Sequence, residues 1–316
     1  MGSERDDESK NMIPVIDFSD ENLKPGSDSW GLACKRIHYG LEEYGCFEAK
    51  YDKVPIQLHN SLFLALKDLF DLPIETKMQK TSERPGFNYV GLSPTLPFYE
   101  SLGFDHPTSF EEVESFTRVM WPQGNDYFRD SVRSFSKPME DLYAMATRMV
   151  FESYGVLRLY ESHMESIFHR LRLFKYRIPE TNETMGVPNH TDKTFITILH
   201  QHEVEGLQVK TKDDQYIDIK PDPSSFLFIA ADACMAWSND RIRACEHRVM
   251  LSEFKPRYSL GFYSLVNGVM HVPEELIDEN YPLRYKPIDH MNFIFHFNTD
   301  DALRNSACPI KTFCGV

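Results

Sequence analysis

The sequence predicts an α+β fold in which a helical N-terminal cover precedes an antiparallel β-sandwich or jelly roll. In the first half of the chain, apolar side chains recur at helical spacing. From Leu171 onward the chain consists of short strand-like runs, such as LRLFKYRI, KTFITILHQ and RYSLGFYSLV, separated by turn-forming segments such as KDDQ, PDPSS and WSND. The chain contains no G-x-G-x-x-G motif and no P-loop, which disfavours a doubly wound nucleotide-binding sheet.

Three segments carry the helical pattern most clearly, namely residues 29–44, 55–70 and 137–154. In the third segment a helix is expected to begin near Lys137, because Pro138 is tolerated in a first turn. The segment 81–107 is rich in proline, glycine and aromatic residues and has no clear period. It predicts a loop that lines a substrate site.

These patterns divide the chain into four parts. They are a disordered N-terminus at 1–12, a helical and mixed region at 13–170, a β-rich core at 171–300 and a C-terminal segment at 301–316.

Composition limits the kinds of partner that the chain can have. Its 316 residues are 41% hydrophobic and carry a formal net charge of -14, which opposes binding to phosphate backbones or anionic lipid. No apolar run approaches the length of a membrane span. The six cysteines lack C-x-x-C spacing and follow no secretory signal, so we expect reduced thiols in a cytoplasmic protein. A monomer that binds a small molecule, and neither nucleic acid nor membrane, is predicted.

The stretch PNHTDKTFITILHQ places two metal-capable side chains before an apolar run. On a strand, residues i and i+2 project from one face, so His190 and Asp192 can point toward one centre. His247 lies downstream in EHRVML and is the third candidate ligand. Two histidines and a carboxylate form a facial triad whose open positions suit non-haem Fe(II) and oxygen chemistry.

A second i, i+2 pair, Arg257 and Ser259, follows in RYSLGF. A hairpin that turns near LSEFK would set His247 opposite Arg257. Because a guanidinium binds a carboxylate through two parallel hydrogen bonds, this arrangement predicts a small carboxylate that also reaches the metal. His200 and His202 are interpreted as strand-end or surface residues, because eight residues of strand would carry His200 about 26 Å from Asp192.

The motifs HTD, HRV and RYS at these intervals resemble those of the plant Fe(II)/2-oxoglutarate-dependent dioxygenases. IPVIDFSD, GLEEYGCFEA, GLQVKTKD and EELIDENYPLRYKP extend the likeness over nearly the whole chain. YESLGFDHP, WPQGN and the terminal FCGV are similar to a subgroup that includes glucosinolate side-chain dioxygenases, a steroidal glycoalkaloid hydroxylase and a lignan ring-closing enzyme.

This resemblance implies a double-stranded β-helix, or jelly roll, with a C-terminal helix. It implies Fe(II) bound by His190, Asp192 and His247, with 2-oxoglutarate and O2 as cosubstrates and ascorbate as the reductant. Arg257 and Ser259, helped by Tyr176, would hold the distal carboxylate of 2-oxoglutarate.

The sequence departs from the family pattern at three places, one of which is Ala231-Asp232 in place of the usual Gly-Asp. Phe174 stands where family members often have asparagine, which puts a polar contact to the cosubstrate in doubt. The usual Asn-Gly turn is Asn239-Asp240, so an aspartate occupies a position that favours positive φ.

The substrate is expected to be a plant specialised metabolite such as a terpenoid, steroid, alkaloid or phenylpropanoid, because the candidate pocket residues are aromatic. These candidates are Phe98, Tyr99, Phe195, Phe262 and Tyr263. The sequence leaves open whether the outcome is hydroxylation, desaturation, demethylation or ring closure.

Two other functions are compatible with a two-histidine, one-carboxylate site. A zinc hydrolase could use the same ligands with a metal-bound water, but it needs no arginine and serine for a second carboxylate. A binding protein on the same fold that has lost turnover is the other alternative. Metal-dependent CO2 release distinguishes the enzyme from the binding protein.

Overall fold

The computed structural model describes residues 12–80, 88–179, 184–252 and 254–316. The predicted disordered N-terminus lies outside this part of the chain, except for the exposed Met12.

In chain order, the α-helices are α1 Asp28–Glu43, α2 Ile56–Phe70, α3 Ile74–Lys77, α4 Phe110–Met120, α5 Asp126–Ser153, α6 Tyr160–Ser166, α7 Asp232–Trp237, α8 His290–Thr299, α9 Asp301–Arg304 and α10 Pro309–Cys314. The strands are β1 Val15–Asp17, β2 Cys46–Lys50, β3 Val90–Ser93, β4 Leu96–Asp105, β5 Ile167–Tyr176, β6 Met185–His190, β7 Ile196–Gln201, β8 Leu207–Lys210, β9 Tyr216–Asp218, β10 Ser225–Ala230, β11 His247–Met250, β12 Arg257–Val266, β13 Val269–Met270 and β14 Ile288–Asp289.

Helices α1 and α2 agree with the sequence pattern to within one residue at each end. The N-terminus of α1 is capped by Ser27, whose side chain accepts a hydrogen bond of 3.2 Å from the backbone N–H of Trp30. One face of each helix is buried against the long helix α5, so amphipathic periodicity is enough to locate them.

The prediction that a helix begins near Lys137 is wrong, because α5 begins at Asp126. Asn125 caps it and accepts a 3.0 Å hydrogen bond from the backbone N–H of Phe128. Pro138 therefore lies inside the helix and not in its first turn. The helix continues through the proline because buried residues on both sides of it, such as Phe135 and Met139, hold α5 in the core.

The strands form two main sheets. The major sheet has the order β1-β2-β10-β7-β12-β5-β4-β3, and the minor sheet has the order β6-β11-β8-β9. Their strands pair antiparallel except for β1 with β2. Leu227 and Ile229 of β10 share a core cluster with Val209 and Val249 of the minor sheet, whereas Phe226 and Phe228 belong to the core beneath the helices. The predicted jelly roll is confirmed.

The segment 81–107 is largely not a loop, since β3 and β4 lie within it and its first seven residues fall outside the described chain. Strand β4 pairs with β5 from Tyr99 to Asp105. The last seven residues of β4 are buried on both faces, so they lack the alternation that marks a half-buried strand. The predicted boundary at residue 170 lies inside β5, and strands that precede it pair in the major sheet.

Asn239 and Asp240 adopt φ values of 58° and 67°, the left-handed conformation expected at this turn. The Asp240 carboxylate accepts hydrogen bonds from Tyr285 Oη at 2.5 Å, Arg284 Nη1 at 2.7 Å and Lys311 Nζ at 2.9 Å. These bonds offset the free-energy cost of the left-handed conformation. The carboxylate therefore fastens the C-terminal segment to the core.

In the described part of the chain, every helix is too short or too polar to cross a membrane.

Candidate metal centre

His190, Asp192 and His247 lie together, and one ligand atom of each is within 4.8 Å of the others. His190 ends β6 and His247 begins β11, and the two residues are direct partners across these paired strands. Their rings lie 4.2 Å apart. Asp192 follows β6 by two residues, and its backbone carbonyl accepts a 2.9 Å hydrogen bond from the N–H of Asp232. The two histidines are therefore positioned by strand pairing, and Asp192 by a loop contact and not by strand alternation.

Backbone carbonyls fix the tautomer of both histidines. His190 Nδ1 lies 2.9 Å from the Pro188 oxygen and His247 Nδ1 lies 3.1 Å from the Cys245 oxygen. Because a carbonyl can only accept, each Nδ1 carries the proton and each Nε2 keeps a free lone pair. Burial, reinforced by His247, lowers the pKa of His190 to about 4, so this ring is neutral at physiological pH.

The Asp192 carboxylate supplies the negative charge of the set. Its Oδ1 lies 3.8 Å from His190 Nε2, and its buried Oδ2 has no hydrogen-bond partner in the described structure. Burial opposes its ionisation, but His247, His190, a hydrogen bond with Thr197 and the charge of Lys193 together lower the pKa of this carboxyl. A buried, unpartnered carboxylate oxygen beside two Nε2 lone pairs fits a divalent cation.

A cavity of about 110 Å³ extends from His190 and His247 to Arg257. Arg257 Nη1 donates to Ser259 Oγ at 2.9 Å and Nη2 donates to Gln201 Oε1 at 2.7 Å, whereas the buried Nε has no partner in the described structure. The guanidinium carbon lies 4.9 Å from the centre of the Tyr176 ring. Burial lowers the pKa of Arg257, but from so high a starting value that it stays charged at neutral pH. This end of the cavity can bind a carboxylate.

The structure brings the six predicted residues together, but not through the predicted hairpin. His247 lies in the minor sheet, where β11 pairs with β6 and β8, whereas Arg257 lies in the major sheet, where β12 pairs with β5 and β7. The hairpin prediction is wrong because the chain crosses between the two sheets after Met250. The residues meet because these sheets face each other across the cavity.

Two parts of the chain match known protein families. Residues 156–264 match the 2OG-Fe(II) oxygenase superfamily, and residues 13–111 match the N-terminal region described as non-haem dioxygenase in morphine synthesis. The probable 2-oxoglutarate-dependent dioxygenase AOP1.2 of Arabidopsis thaliana is 40% identical over 298 residues, which cover 92% of each chain. The chain belongs to the 2-oxoglutarate and Fe(II)-dependent oxygenases.

Further relatives of this oxygenase are known by sequence and by structure. The 2-oxoglutarate-dependent dioxygenase AOP2 of Arabidopsis thaliana is 28% identical and is matched over 96% of this chain and 98% of its own. The Arabidopsis thaliana dioxygenase for auxin oxidation 1, solved with 2-oxoglutarate, superposes with a TM-score of 0.77 at 28% identity, covering 86% of this chain and 100% of its own. The rice dioxygenase for auxin oxidation gives the same TM-score at 26% identity, covering 91% of this chain and 95% of its own.

Membership in this family makes the protein an oxidising enzyme that uses Fe(II), 2-oxoglutarate and O2. The predictions of fold class and enzyme class are thereby confirmed.

A larger cavity of about 580 Å³ opens beside the metal centre of the oxygenase. Tyr99 and Tyr263 line both cavities, as does Phe174. Phe195 and Phe262 are instead buried in the core beneath the helices, against His163 at 4.5 Å and His169 at 4.5 Å. Phe262 has the strand parity opposite to that of Tyr263, so the prediction that it lines the pocket is wrong. Phe98 packs against the cluster that contains Tyr99 and lies outside the linings of both cavities.

Several lining residues were not found from the sequence. Gln201, which binds Arg257, is brought there by pairing of β7 with β12, opposite Ser259. Phe297 of α8 and Arg304 of α9 also line the larger cavity. These residues occupy no recognisable motif, and only the β7–β12 pairing and the packing of α8 place them there.

Proposed function

We propose that this enzyme uses His190, Asp192 and His247 to bind Fe(II), and oxidises a small plant specialised metabolite with 2-oxoglutarate as cosubstrate. The observation that carries the proposal is the cavity that runs from His190 and His247, which cluster with Asp192, to Arg257. Its volume of about 110 Å³ limits the bound acid to a small one. The plant relatives named as 2-oxoglutarate-dependent dioxygenases, and those named for auxin oxidation, support a small-molecule substrate.

Each side chain has a distinct role in this proposal. Fe(II), when bound with 2-oxoglutarate and O2, supplies an oxidant for a substrate C–H bond, with release of succinate and CO2. The Nδ1–H groups of His190 and His247 donate to backbone carbonyls, which holds the rings with Nε2 toward the metal. Asp192 provides an anionic ligand.

Arg257 and Ser259 orient the cosubstrate. The two residues project from β12, and their side chains are already hydrogen-bonded to each other, with Gln201 holding the second guanidinium nitrogen. This fixed guanidinium binds the distal carboxylate of 2-oxoglutarate, while Tyr176 packs against its face. Phe174 lines the same cavity as an apolar wall in place of the asparagine of other family members.

The larger cavity takes the substrate. Tyr99 and Tyr263 form part of its wall, and a terpenoid, steroid, alkaloid or phenylpropanoid fits its volume. We also propose that the enzyme acts in the cytoplasm as a monomer, without nucleic-acid partners, and that ascorbate keeps its iron reduced. The net charge of -14 supports the absence of a nucleic-acid partner.

The proposal is tested by 2-oxoglutarate binding and by turnover. Calorimetry with Mn(II) in place of Fe(II) should show 2-oxoglutarate binding that is lost in Asp192→Ala and weakened at least about tenfold in Arg257→Gln. Succinate formation with Fe(II), 2-oxoglutarate and ascorbate should fall to background in both variants. The exposed aspartate variant Asp218→Ala is the control for Asp192→Ala and should bind like the wild type. Unchanged binding in Asp192→Ala and Arg257→Gln would refute the assignment of these residues.

A further inference from the structure

The larger cavity beside the candidate metal centre is lined by apolar and cationic side chains, together with the carboxylates of Asp192 and Glu246. Its apolar and aromatic lining includes Tyr99, Phe174, Tyr263, Leu265, Ile294 and Phe297. The cations that line it in the described part of the chain are Arg170, Arg172, Lys193 and Arg304. A purely apolar substrate would leave these cations without a function in binding it.

Three of the four cations are neutralised by carboxylates of the protein. Arg170 Nε binds Asp105 at 2.7 Å, Lys193 Nζ lies 2.8 Å from Asp232, and Arg304 Nη1 lies 3.1 Å from Asp301. These pairs account for the charge of the three side chains. They leave Arg172 as the cation to be explained.

Arg172 has no carboxylate partner among the described residues. Its Nη2 donates to the Ser101 hydroxyl at 2.6 Å, and its guanidinium carbon lies 5.8 Å from the Phe174 ring. Its Nε is buried and makes no hydrogen bond in the described structure. A buried N–H without an acceptor costs about 1–3 kcal/mol, so a bound acceptor at this position would remove a real penalty.

The strand register places Arg172 between two glycines, and the ring of Tyr263 lies over one of them, Gly261. On β5 it pairs with Gly261 of β12 on one side and with Gly103 of β4 on the other. Neither cross-strand neighbour has a side chain, and among the described residues the group that Arg172 contacts across the strands is the neutral Ser101 hydroxyl on β4.

Arg172 lies on the same face of β5 as Phe174 and Tyr176, and Tyr176 pairs with Arg257. Four residues of strand place it about 13 Å along β5 from that pair. The two guanidinium groups therefore lie in different cavities, Arg172 in the larger and Arg257 in the smaller, and His190 lines both.

We infer that Arg172 binds a carboxylate of the substrate and that the enzyme therefore oxidises an apolar acid. This inference rests on the proposed function and names its substrate class. Arg257 holds the carboxylate of the cosubstrate, and Arg172 holds that of the substrate. The body of the substrate lies against Phe174 and Tyr263, with its carboxylate turned away from the Arg257 end of the site.

A carboxylate fits this position better than other polar groups. Nε–H and the remaining Nη2 hydrogen of Arg172 present two donors that a planar carboxylate accepts together. A neutral amide or ester would leave the guanidinium charge uncompensated in a partly desolvated wall. A phosphate dianion would call for further free cations, whereas those of the described lining already have carboxylate partners.

The test uses a series of ω-phenylalkanoic acids, from phenylacetate to 6-phenylhexanoate, each paired with its primary amide. Binding is measured by calorimetry to the full protein loaded with Mn(II) and saturating 2-oxoglutarate. We expect at least one acid to bind about tenfold or more tightly than its amide, as is typical of a charge-assisted hydrogen-bonded pair.

The variants separate charge from shape. Arg172→Gln should abolish the preference for acid over amide, while Arg172→Lys should retain part of it, and both should bind 2-oxoglutarate like the wild type. Arg158→Gln changes an exposed arginine that pairs with Glu275 and should keep the full preference.

The possible outcomes are distinguishable. An acid preference that survives in Arg172→Gln, or no acid preference at any chain length in a protein that binds 2-oxoglutarate, overturns the inference about Arg172 and leaves the proposed function intact. Failure of the wild type to bind 2-oxoglutarate with Mn(II) overturns the proposed function itself.

Discussion

At the scale of single residues, the candidate site depends on groups that are fixed before any ligand binds. Each histidine of the candidate metal centre donates Nδ1–H to a carbonyl two residues earlier in the chain, that of Pro188 or Cys245. Arg257 is held by Ser259 and Gln201. Such fixed side chains lose little conformational freedom when a ligand arrives, which favours tight and oriented binding.

Gly206 allows the backbone to pass close to Arg257. It has φ of +144°, and a Cβ there would overlap the carbonyl oxygen of Met250 and lie 3.3 Å from Cδ of Arg257. Gly206→Ala should therefore lower the free energy of unfolding by about 2 kcal/mol or more and should also weaken 2-oxoglutarate binding. Urea unfolding and calorimetry measure the two effects.

Gly268→Ala is the matched control, because Gly268 also has a positive φ, +126°, but a Cβ there would have open space. It should lose stability from backbone strain alone and keep its affinity for 2-oxoglutarate. Equal affinities in Gly206→Ala and Gly268→Ala would show that Gly206 does not position Arg257.

At the scale of elements, the sequence predicted the helices α1 and α2 more accurately than the strand β4. Helices α1 and α2 carry a local apolar period, and the sequence predicted both within one residue. Strand β4 is buried on both faces over most of its length, and its identity depends on pairing with β5, more than 60 residues away in the chain. A local sequence pattern cannot predict pairing between strands so far apart in the chain.

Helix α5 carries an interior proline that the rest of the fold tolerates. Pro138 cannot donate to the carbonyl four residues earlier, which costs about 3 kcal/mol in a helix interior. Pro138→Ala should restore that hydrogen bond and raise the free energy of unfolding by about 1–2 kcal/mol, after allowing for the greater freedom of the unfolded chain. Thermal and urea unfolding measure this gain.

Pro55→Ala is the control, because Pro55 is the exposed N-cap of α2 and obstructs no helical hydrogen bond. It should change stability by less than about 1 kcal/mol. If Pro138→Ala has no higher a free energy of unfolding than Pro55→Ala, then Pro138 does not destabilise α5 and the prediction is wrong.

At the scale of the whole molecule, buried neutral histidines link stability to pH. His200 was interpreted as a strand-end or surface residue, but it is 1% exposed inside β7, where it hydrogen-bonds to His59 at 2.9 Å and to the Ser225 carbonyl at 2.9 Å. Burial, with a contribution from His59, lowers the pKa of His200 to about 3, and burial, with His202, lowers the pKa of His59 to about 4.

The direction of the pH effect follows from these pKa values. Between pH 6.5 and about 4 the unfolded chain takes up protons at His59 and His200 that the folded chain does not. The stability is therefore fully present above about pH 6.5 and is lost as the pH falls toward 4. At pH 5 the loss should be about 2 kcal/mol for each histidine, measured by urea unfolding at pH 7 and pH 5.

Variants identify the histidines responsible. His200→Gln and His59→Gln should each reduce the difference in unfolding free energy between pH 7 and pH 5, and His271→Gln, at an exposed position, should leave it unchanged. An unaltered pH dependence in His200→Gln and His59→Gln would assign the effect to other groups.

The sequence by itself determined which residues are candidates for the metal centre and for the cosubstrate end of the cavity. His190 and Asp192 form one i, i+2 pair and Arg257 and Ser259 another, and their side-chain types indicate metal and carboxylate binding without a structure. The amphipathic helices are likewise predicted from local sequence alone. The hairpin predicted between His247 and Arg257 was wrong, but the choice of candidate residues did not depend on it. The side-chain types alone indicated metal and carboxylate binding.

Only the tertiary structure decided how these residues meet and what surrounds them. Two facing sheets bring His247 to Arg257, long-range pairing supplies Gln201, and the C-terminal segment closes the larger cavity. Whether a cation such as Arg172 has a partner depends on what lies across the neighbouring strands and on the far side of the cavity. These are contacts between residues far apart in the chain, and local sequence patterns do not predict them.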